Sequence, residues 1–312
     1  MTPSAPQRHR GLAVGIVALA LTYFGLLAAY GLNLGEEGGT VYLIYRTFAG
    51  QRPYIDFISG YTPGYFYWHA LVLRLLGVSL LPIRLCLVVV HTASALLLYR
   101  VSRYLVAPRY AVLPPLMYMA LLPVVPATSC SFNVPYPSWY AVLFWLLGVH
   151  LLLRCLCAPR KGDLLVAGLL AGLSFSFKPN SGLFQLAATA LCVVCACGAR
   201  PAPERGASRW LQWSVMAGTL GGVAVIFRTH LLSREGAIFV APIVALAASW
   251  LVHGFPADAS AERKPMRAML LLATGFGVVS APWLLYFYPQ LGWSRFTHDV
   301  LFVNTGYEQF FY

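Results

Sequence analysis

Gly11 to Leu34 is an apolar stretch without one charged side chain, long enough to cross roughly 30 Å of hydrocarbon. It is too long for the apolar region of a secretory signal, and no Ala-x-Ala-like cleavage site follows it, so it reads as a retained span. Further apolar runs recur at about 83–105, 110–122, 139–157, 164–177, 182–199, 210–227, 237–253 and 268–288. With the first they make about nine spans, of which those at 110–122 and 164–177 are short. Composition agrees: 59% of the residues are hydrophobic and only 10% charged, and mean hydropathy is +0.69. That leaves too little polar surface to cover a soluble globule. The expected fold is all-α, a polytopic membrane helical bundle occupying 11–312 behind a short tail at 1–10.

A formal net charge of +12 raises the question of nucleic acid. The cations, however, lie in small groups at the ends of apolar runs, with no basic stretch interleaved with aromatics, so nucleic acid is excluded as a partner. They serve instead as topology signals. Arg8 and Arg10 put the tail in the cytoplasm. Alternate threading then puts Arg100, Arg103 and Arg109, Arg154, Arg160 and Lys161, Arg200, Arg205 and Arg209, and Arg263, Lys264 and Arg267 on that same side. The polar outliers fall on the opposite, exoplasmic side: Glu36, Ser129 to Ser138, Lys178, Arg228 to Glu235 and the tail from Gln290. Seven cysteines, mostly inside apolar runs, form no disulfide framework, and Cys192 to Cys197 (CVVCAC) reads as packed small residues rather than a metal cluster.

One interval resists this apolar background. Residues 35–77, the first exoplasmic loop, hold Glu36, Glu37 and Asp56, three of only ten carboxylates in the chain. Val41, Ile44, Tyr45 and Phe48 recur at helical spacing and predict a short interfacial helix. Thr62-Pro63 predicts a second helix start, running to about Leu76, whose Tyr65, Phe66, Tyr67 and Trp68 suit the headgroup region. Acids gathered at a bilayer edge point to a catalytic site there.

The order of these features resembles a known group. An acidic pair follows the first span (Glu36-Glu37), then a G-x-x-P-Y-x-D-F segment (Gly50 to Phe57), then an aromatic helix start (Pro63 to Tyr67) leading into HALVLRLLG, and later Lys-Pro-Asn before Gly-Leu-Phe (Lys178 to Phe184). Together they are similar to the GT-C glycosyltransferases of the protein O-mannosyltransferase and aminoarabinose-transferase type, family 39. The resemblance covers most of 34–191. It implies inverting transfer of a sugar from a polyprenyl-phosphate donor to a lipid, glycan or protein acceptor, on the exoplasmic face of a bacterial inner membrane. One departure is plain: where relatives often carry an acid after the third span, this chain reads SFNVPYPSWY, so acceptor binding there differs.

The chemistry such a transfer needs can be matched to residues. The acceptor hydroxyl must lose a proton as it attacks an oxocarbenium-like centre, which calls for a carboxylate base. Glu36 occupies the family's base position, Glu37 competes for it, and the plainer reading makes both of them helix caps. The departing lipid phosphate calls for a cation at headgroup depth, which Lys178 supplies unless it merely snorkels from a helix end. Arg46 and Arg52 are further donor-phosphate candidates, with lipid headgroups as their alternative. Asp56 matches the second acidic position and either pairs with an arginine to anchor the loop or holds the acceptor or a divalent ion near Glu36; no other cofactor and no protein-held metal cluster is expected. Tyr54, Tyr61, Tyr65, Asn180 and His298 are acceptor or loop contacts; His230 and Asp299 lie on the same face as further acceptor contacts, with a simple pair of Arg295 and Asp299 as the alternative, and His91 and His150 pack inside spans. No glycine-rich phosphate loop supports a nucleotide-sugar donor. The competing classes are a transporter or flippase, disfavoured by acids at one edge and no repeat, and a non-catalytic subunit with the same scaffold. The chain stops at YEQFFY, which fits a fragment or a short member.

Overall fold

The computed structural model describes residues 5–123, 132–157, 160, 162–197, scattered positions between 213 and 248, and 265–301. Every named element among them is helical: α1 (Ala5–Leu27), α2 (Glu36–Phe48), α3 (Pro63–Leu76), α4 (Leu80–Leu105), α5 (Leu113–Leu121), α6 (Pro137–Cys157), α7 (Asp163–Phe177), α8 (Pro179–Cys197) and α9 (Pro265–Phe296), the last running into a π-helical turn at Thr297–Leu301. The all-α membrane class expected from the sequence is therefore the one observed. Four of the described helices are long and apolar enough to cross a membrane: Arg10–Leu27, Leu80–Leu105, Pro137–Cys155 and Met266–Val300; Asp163–Phe177 is apolar but shorter. The expected spans at 210–227 and 237–253 lie largely outside the described residues, as do Arg228 to Glu235 and the side chains of Cys195 and Cys197.

The chain divides into two compact units, one of residues 1–186 and 273–312, the other of residues 187–272. All the candidate residues lie in the first. The described part of the second is the end of α8, helical positions between 213 and 248, and the first turns of α9.

Element boundaries follow local chemistry. α1 stops at Leu27 rather than continuing to Leu34, because Gly31 turns the chain at φ 70°, in the left-handed region open to glycine. Leu32 and Leu34, which extended the apolar run in the sequence, are exposed loop residues. α3 begins where Thr62-Pro63 places it, with Thr62 extended at the N-cap and proline at the first helical position. The aromatic cluster at its start divides: Tyr67 and Trp68 are exposed, but Tyr65, Phe66 and His69 are fully buried. α3 is thus half core element, and a headgroup role fits only its outer face. α9 carries Pro282 and Pro289 and is bent at Gly292 (φ 72°).

Two features hold the bundle. Phe57, Phe66, Leu73, Ile83, Leu87, Tyr140 and Phe177 form one core between α2, α3, α4, α6 and α7. α7 and α9 meet through small residues instead. A β-carbon on Gly172 would stand 2.9 Å from the Phe276 carbonyl oxygen and from Val279 Cβ, so only glycine permits that approach. Gly64 lets α3 reach the end of α7 in the same way, 2.7 Å from the Ser176 carbonyl by the same measure.

Contacts between helix ends give the bundle a polarity. At one end gather the C-termini of α1 and α7 and the N-termini of α2, α3, α4 and α6. Arg84 at the start of α4 donates to the carbonyls of Ala28 (2.9 Å) and Gly31 (2.7 Å) after α1. Thr62 Oγ1 donates to the Phe175 carbonyl at 3.2 Å, and Trp283 of α9 donates to Ser176 Oγ at 2.8 Å. At the other end Arg154 of α6 pairs with Asp163, the first residue of α7. Arg100 and Arg103 close α4 at that second end, as the threading by charge requires.

Candidate active site

The first turn of α2 sets two carboxylates side by side in opposite environments. Asn33 starts the turn: its side-chain oxygen accepts from the Glu36 N–H (3.1 Å) and its carbonyl from the Glu37 and Gly38 N–H groups. Neighbours on a helix point about 100° apart, so only one of the pair can face the core. That one is Glu37, 1% exposed. Arg84 Nε and Nη2 each reach a different Glu37 oxygen at 2.7 Å. With its two bonds to the end of α1, the guanidinium uses four of its five N–H groups, and it joins α1, α2 and α4 at one point. A bidentate, desolvated pair of this kind is costly to break and leaves Glu37 no freedom to accept a substrate proton.

Glu36 faces outward and is exposed. Its Oε2 accepts a hydrogen bond from the Tyr136 hydroxyl; among the described residues Oε1 takes none. Tyr136 belongs to the segment SFNVPYPSWY just before α6. Two residues further on, Ser138 Oγ accepts from Lys178 Nζ at 2.8 Å. Lys178 is the extended C-cap of α7, stopped there by Pro179. It is half-buried, and that burial pushes its pKa below the ordinary lysine value. Among the described residues no carboxylate neutralises it. One short segment, 136–138, therefore links the outward acid and the unpaired cation at the same end of the bundle.

In the loop at 49–62 the one carboxylate closes on its own segment. Asp56 Oδ2 accepts from the Arg52 backbone N–H (2.7 Å) and from Arg52 Nε (3.2 Å). The side-chain bond from Arg52 is the main reason the Asp56 carboxyl lies below the usual carboxylate range. Arg46 donates to the Asp56 carbonyl (2.9 Å) and to Gln51, and its guanidinium covers the Phe57 ring at 4.9 Å. Tyr54 is buried with φ 65°, its hydroxyl on the Tyr61 carbonyl and its own carbonyl accepting from Arg295 at 3.2 Å. Asp56 thus has arginine partners and no bond to Glu36 or Lys178.

The remaining candidates divide. Tyr61 stacks edge-on against Tyr65, and Tyr65, fully buried, donates to the Pro135 carbonyl. Asn180 is exposed in the first turn of α8, accepting from the Ser181 N–H at 2.8 Å. His298 is exposed beside Asp299, with Nδ1 and Oδ1 2.8 Å apart, and Asp299 also pairs with Arg295 at 3.5 Å. Among the described residues no three His, Cys, Asp or Glu side chains converge on a point where a metal could sit. With Asp56 engaged by Arg52, the residues present do not fit a divalent ion shared with Glu36.

Two residues that matter here were not singled out from the sequence: Arg84 and Tyr136. Arg84 carried a signal, as a lone cation in the apolar run LLPIRLCLVVV at the end away from the other arginines. Tyr136 carried none beyond its place in the polar stretch 129–138, which also holds Ser138 and which the threading put on the side of Glu36 and Lys178.

Fold and site together define a polytopic α-helical membrane protein with an outward carboxylate and, among the described residues, an unpaired cation at one end of its bundle. Residues 61–207 match the family model of dolichyl-phosphate-mannose-protein mannosyltransferases, which is of the GT-C type. The match indicates a glycosyltransferase and agrees with the resemblance carried by the motifs. It includes Tyr136, Ser138 and Lys178 and starts beyond Glu36, Glu37 and Asp56. No curated protein and no solved structure matches the chain.

Proposed function

We propose that this protein transfers a sugar, with inversion, from a polyprenyl-phosphate carrier to an acceptor hydroxyl at the exoplasmic surface of a bacterial inner membrane. The observation that carries the reading is the joining of Glu36 and Lys178 through 136–138, at the bundle end away from Arg100, Arg103 and Arg154. Glu36 takes the acceptor proton while the acceptor oxygen attacks the anomeric carbon from the face opposite the phosphate. The C–O bond to the phosphate breaks with its electron pair going to the leaving oxygen, and Lys178 stabilises that charge. Its half-buried position favours this role: a cation already removed from part of its water interacts more strongly with an incoming phosphate. Acids at one edge, rather than ionisable groups at mid-membrane, favour this over transport. The acceptor is a lipid, glycan or protein carrying a free hydroxyl.

The test is transfer of radiolabel from polyprenyl-phosphate mannose in proteoliposomes, with total membrane extract as acceptor pool and GDP-mannose as control donor. Label should move from the lipid-linked donor only. No transfer from mannosyl, glucosyl or aminoarabinosyl polyprenyl phosphates would overturn the donor class. A peptide tag inserted after Gly50 that proves cytoplasmic would overturn the sidedness.

A further inference from the structure

The segment before α6 supplies no group to which the proposed transfer gives a chemical step. It is tethered at every one of its first four described residues. Phe132, Asn133, Val134 and Pro135 are all buried. The Phe132 carbonyl accepts from His91 Nε2 at 3.1 Å; since a carbonyl only accepts, His91 is the Nε2–H tautomer and its Nδ1 takes the Tyr118 hydroxyl at 2.7 Å. Asn133 Nδ2 donates to the Leu27 (3.1 Å) and Tyr30 (3.0 Å) carbonyls, capping the end of α1. The Val134 carbonyl accepts from Trp139 Nε1 at 3.1 Å, and the Pro135 carbonyl from Tyr65. Four helices therefore grip four consecutive residues. The next, Tyr136, stands between Pro135, whose own φ is fixed by its ring, and Pro137, whose ring restricts the backbone of Tyr136. Only its side chain is left half-exposed, aimed at Glu36.

We propose that Tyr136 is a positioning residue for Glu36: its hydroxyl, delivered by this tethered segment, fixes Oε2 of the carboxylate and turns Oε1 toward the acceptor. The inference rests on Glu36 being the base of the proposed transfer. Tyr136 gives up no proton in the reaction. Burial first, and then the neighbouring Glu36, push its own ionisation above the ordinary tyrosine range, so it remains a donor at neutral pH. Among the described residues, the ionisable groups near the pair are Glu37, engaged by Arg84, and Tyr61, which acts on Tyr136. The same segment sets Ser138 against Lys178, so acid and cation share one rigid mount. The residue thereby does with a hydroxyl what a second carboxylate could not do without repelling Glu36.

The test reads Glu36 directly. The full-length protein in detergent is labelled at one fixed pH with a water-soluble carbodiimide and glycine ethyl ester, and the rate of labelling of the Glu36 peptide is followed by mass spectrometry, with Glu36→Gln as the control that removes the signal. A carboxyl oxygen held by a hydroxyl is less free to attack the reagent, so labelling should quicken roughly two- to fivefold in Tyr136→Phe, while Tyr61→Phe leaves the rate in place. Tyr136→Gln, which restores a donor, should recover part of the wild-type rate if Phe at this position lowers protein yield. An unchanged rate in Tyr136→Phe, or an equal quickening in Tyr61→Phe, overturns the proposal. Because no sugar donor is present, the result is independent of whether the transfer itself is found. In the kinetic arm with polyprenyl-phosphate mannose, Tyr136→Phe should lower kcat about tenfold with donor KM unchanged; a raised KM with an unchanged kcat contradicts positioning.

Discussion

The first turn of α2 and the loop at 49–62 both present acids to the same end of the bundle, and they use them in opposite ways. In the turn, two adjacent carboxylates divide the work: Glu37 is buried against Arg84 and fastens three helices, and Glu36 is left outward with one oxygen open. In the loop, the single carboxylate of Asp56 closes its own chain on Arg52. The difference teaches that an acid is available for chemistry when a neighbour has taken over its structural duty. It also gives the Glu-Glu pair a physical reason, since either acid alone would have to choose between anchoring and reacting.

Breaking the buried pair should have the largest effect on the protein itself. Glu37→Ala or Arg84→Ala leaves an uncompensated buried charge and should destabilise the fold by roughly 3–5 kcal/mol, read as a lowered melting temperature in detergent. Replacing both residues with methionine should recover much of that loss. If either single variant melts like the wild type, the two carboxylates are not divided as described.

Removing the cation should affect donor binding rather than folding. Lys178→Ala should raise donor KM by roughly ten- to a hundredfold, as expected for a charge-assisted contact, with little change in melting temperature. Because burial lowers the Lys178 pKa, its positive charge is present below that pKa and is lost as pH rises through it. Donor KM should therefore climb on the alkaline side at a lower pH than an ordinary lysine would give. Lys178→Arg should keep KM flat across the same range, since guanidinium stays charged; an identical alkaline rise in Lys178→Arg would remove Lys178 as its cause.

The smallest effect is expected in the loop. Asp56→Asn removes an exposed pair, so melting should not change measurably. Hydrogen exchange at the Tyr54 and Asp56 amides, bonded to the Phe57 and Arg52 carbonyls, should nevertheless quicken. Because the Arg52 bond depresses the Asp56 pKa, the loop's closure is complete above the ordinary aspartate range and is lost as pH falls through the lowered value. The same quickening should then appear in the wild type at acidic pH. A large loss of transfer in Asp56→Asn would make the two regions alike after all.

How much of this was legible before the coordinates depends on the range of the interaction concerned. Apolar runs announced α4, α6 and α9 because a span's requirement is local, and Thr62-Pro63 announced the start of α3. Glu36, Glu37, Asp56 and Lys178 stood out as misfits in an apolar background. Their partners did not. Arg84 lies far along the chain from Glu37, as Tyr136 does from Glu36 and Ser138 from Lys178, and no helical period or motif connects such pairs. Tyr65 misled for a related reason: an aromatic at a helix start reads as a headgroup anchor, yet packing of α3 against α7 through Gly64 drew it into the core. The end of α1 was set at Leu34 because Leu32 and Leu34 prolong the hydrophobicity past the turn at Gly31.

The central claim is that Glu36 acts in the chemical step and not in holding the donor. The most direct measurement takes one preparation of Glu36→Gln and follows both binding of polyprenyl-phosphate mannose and transfer from it. The account predicts binding close to that of the wild type and transfer reduced at least about a hundredfold. Binding and transfer falling together, or transfer persisting at the wild-type rate, would contradict it.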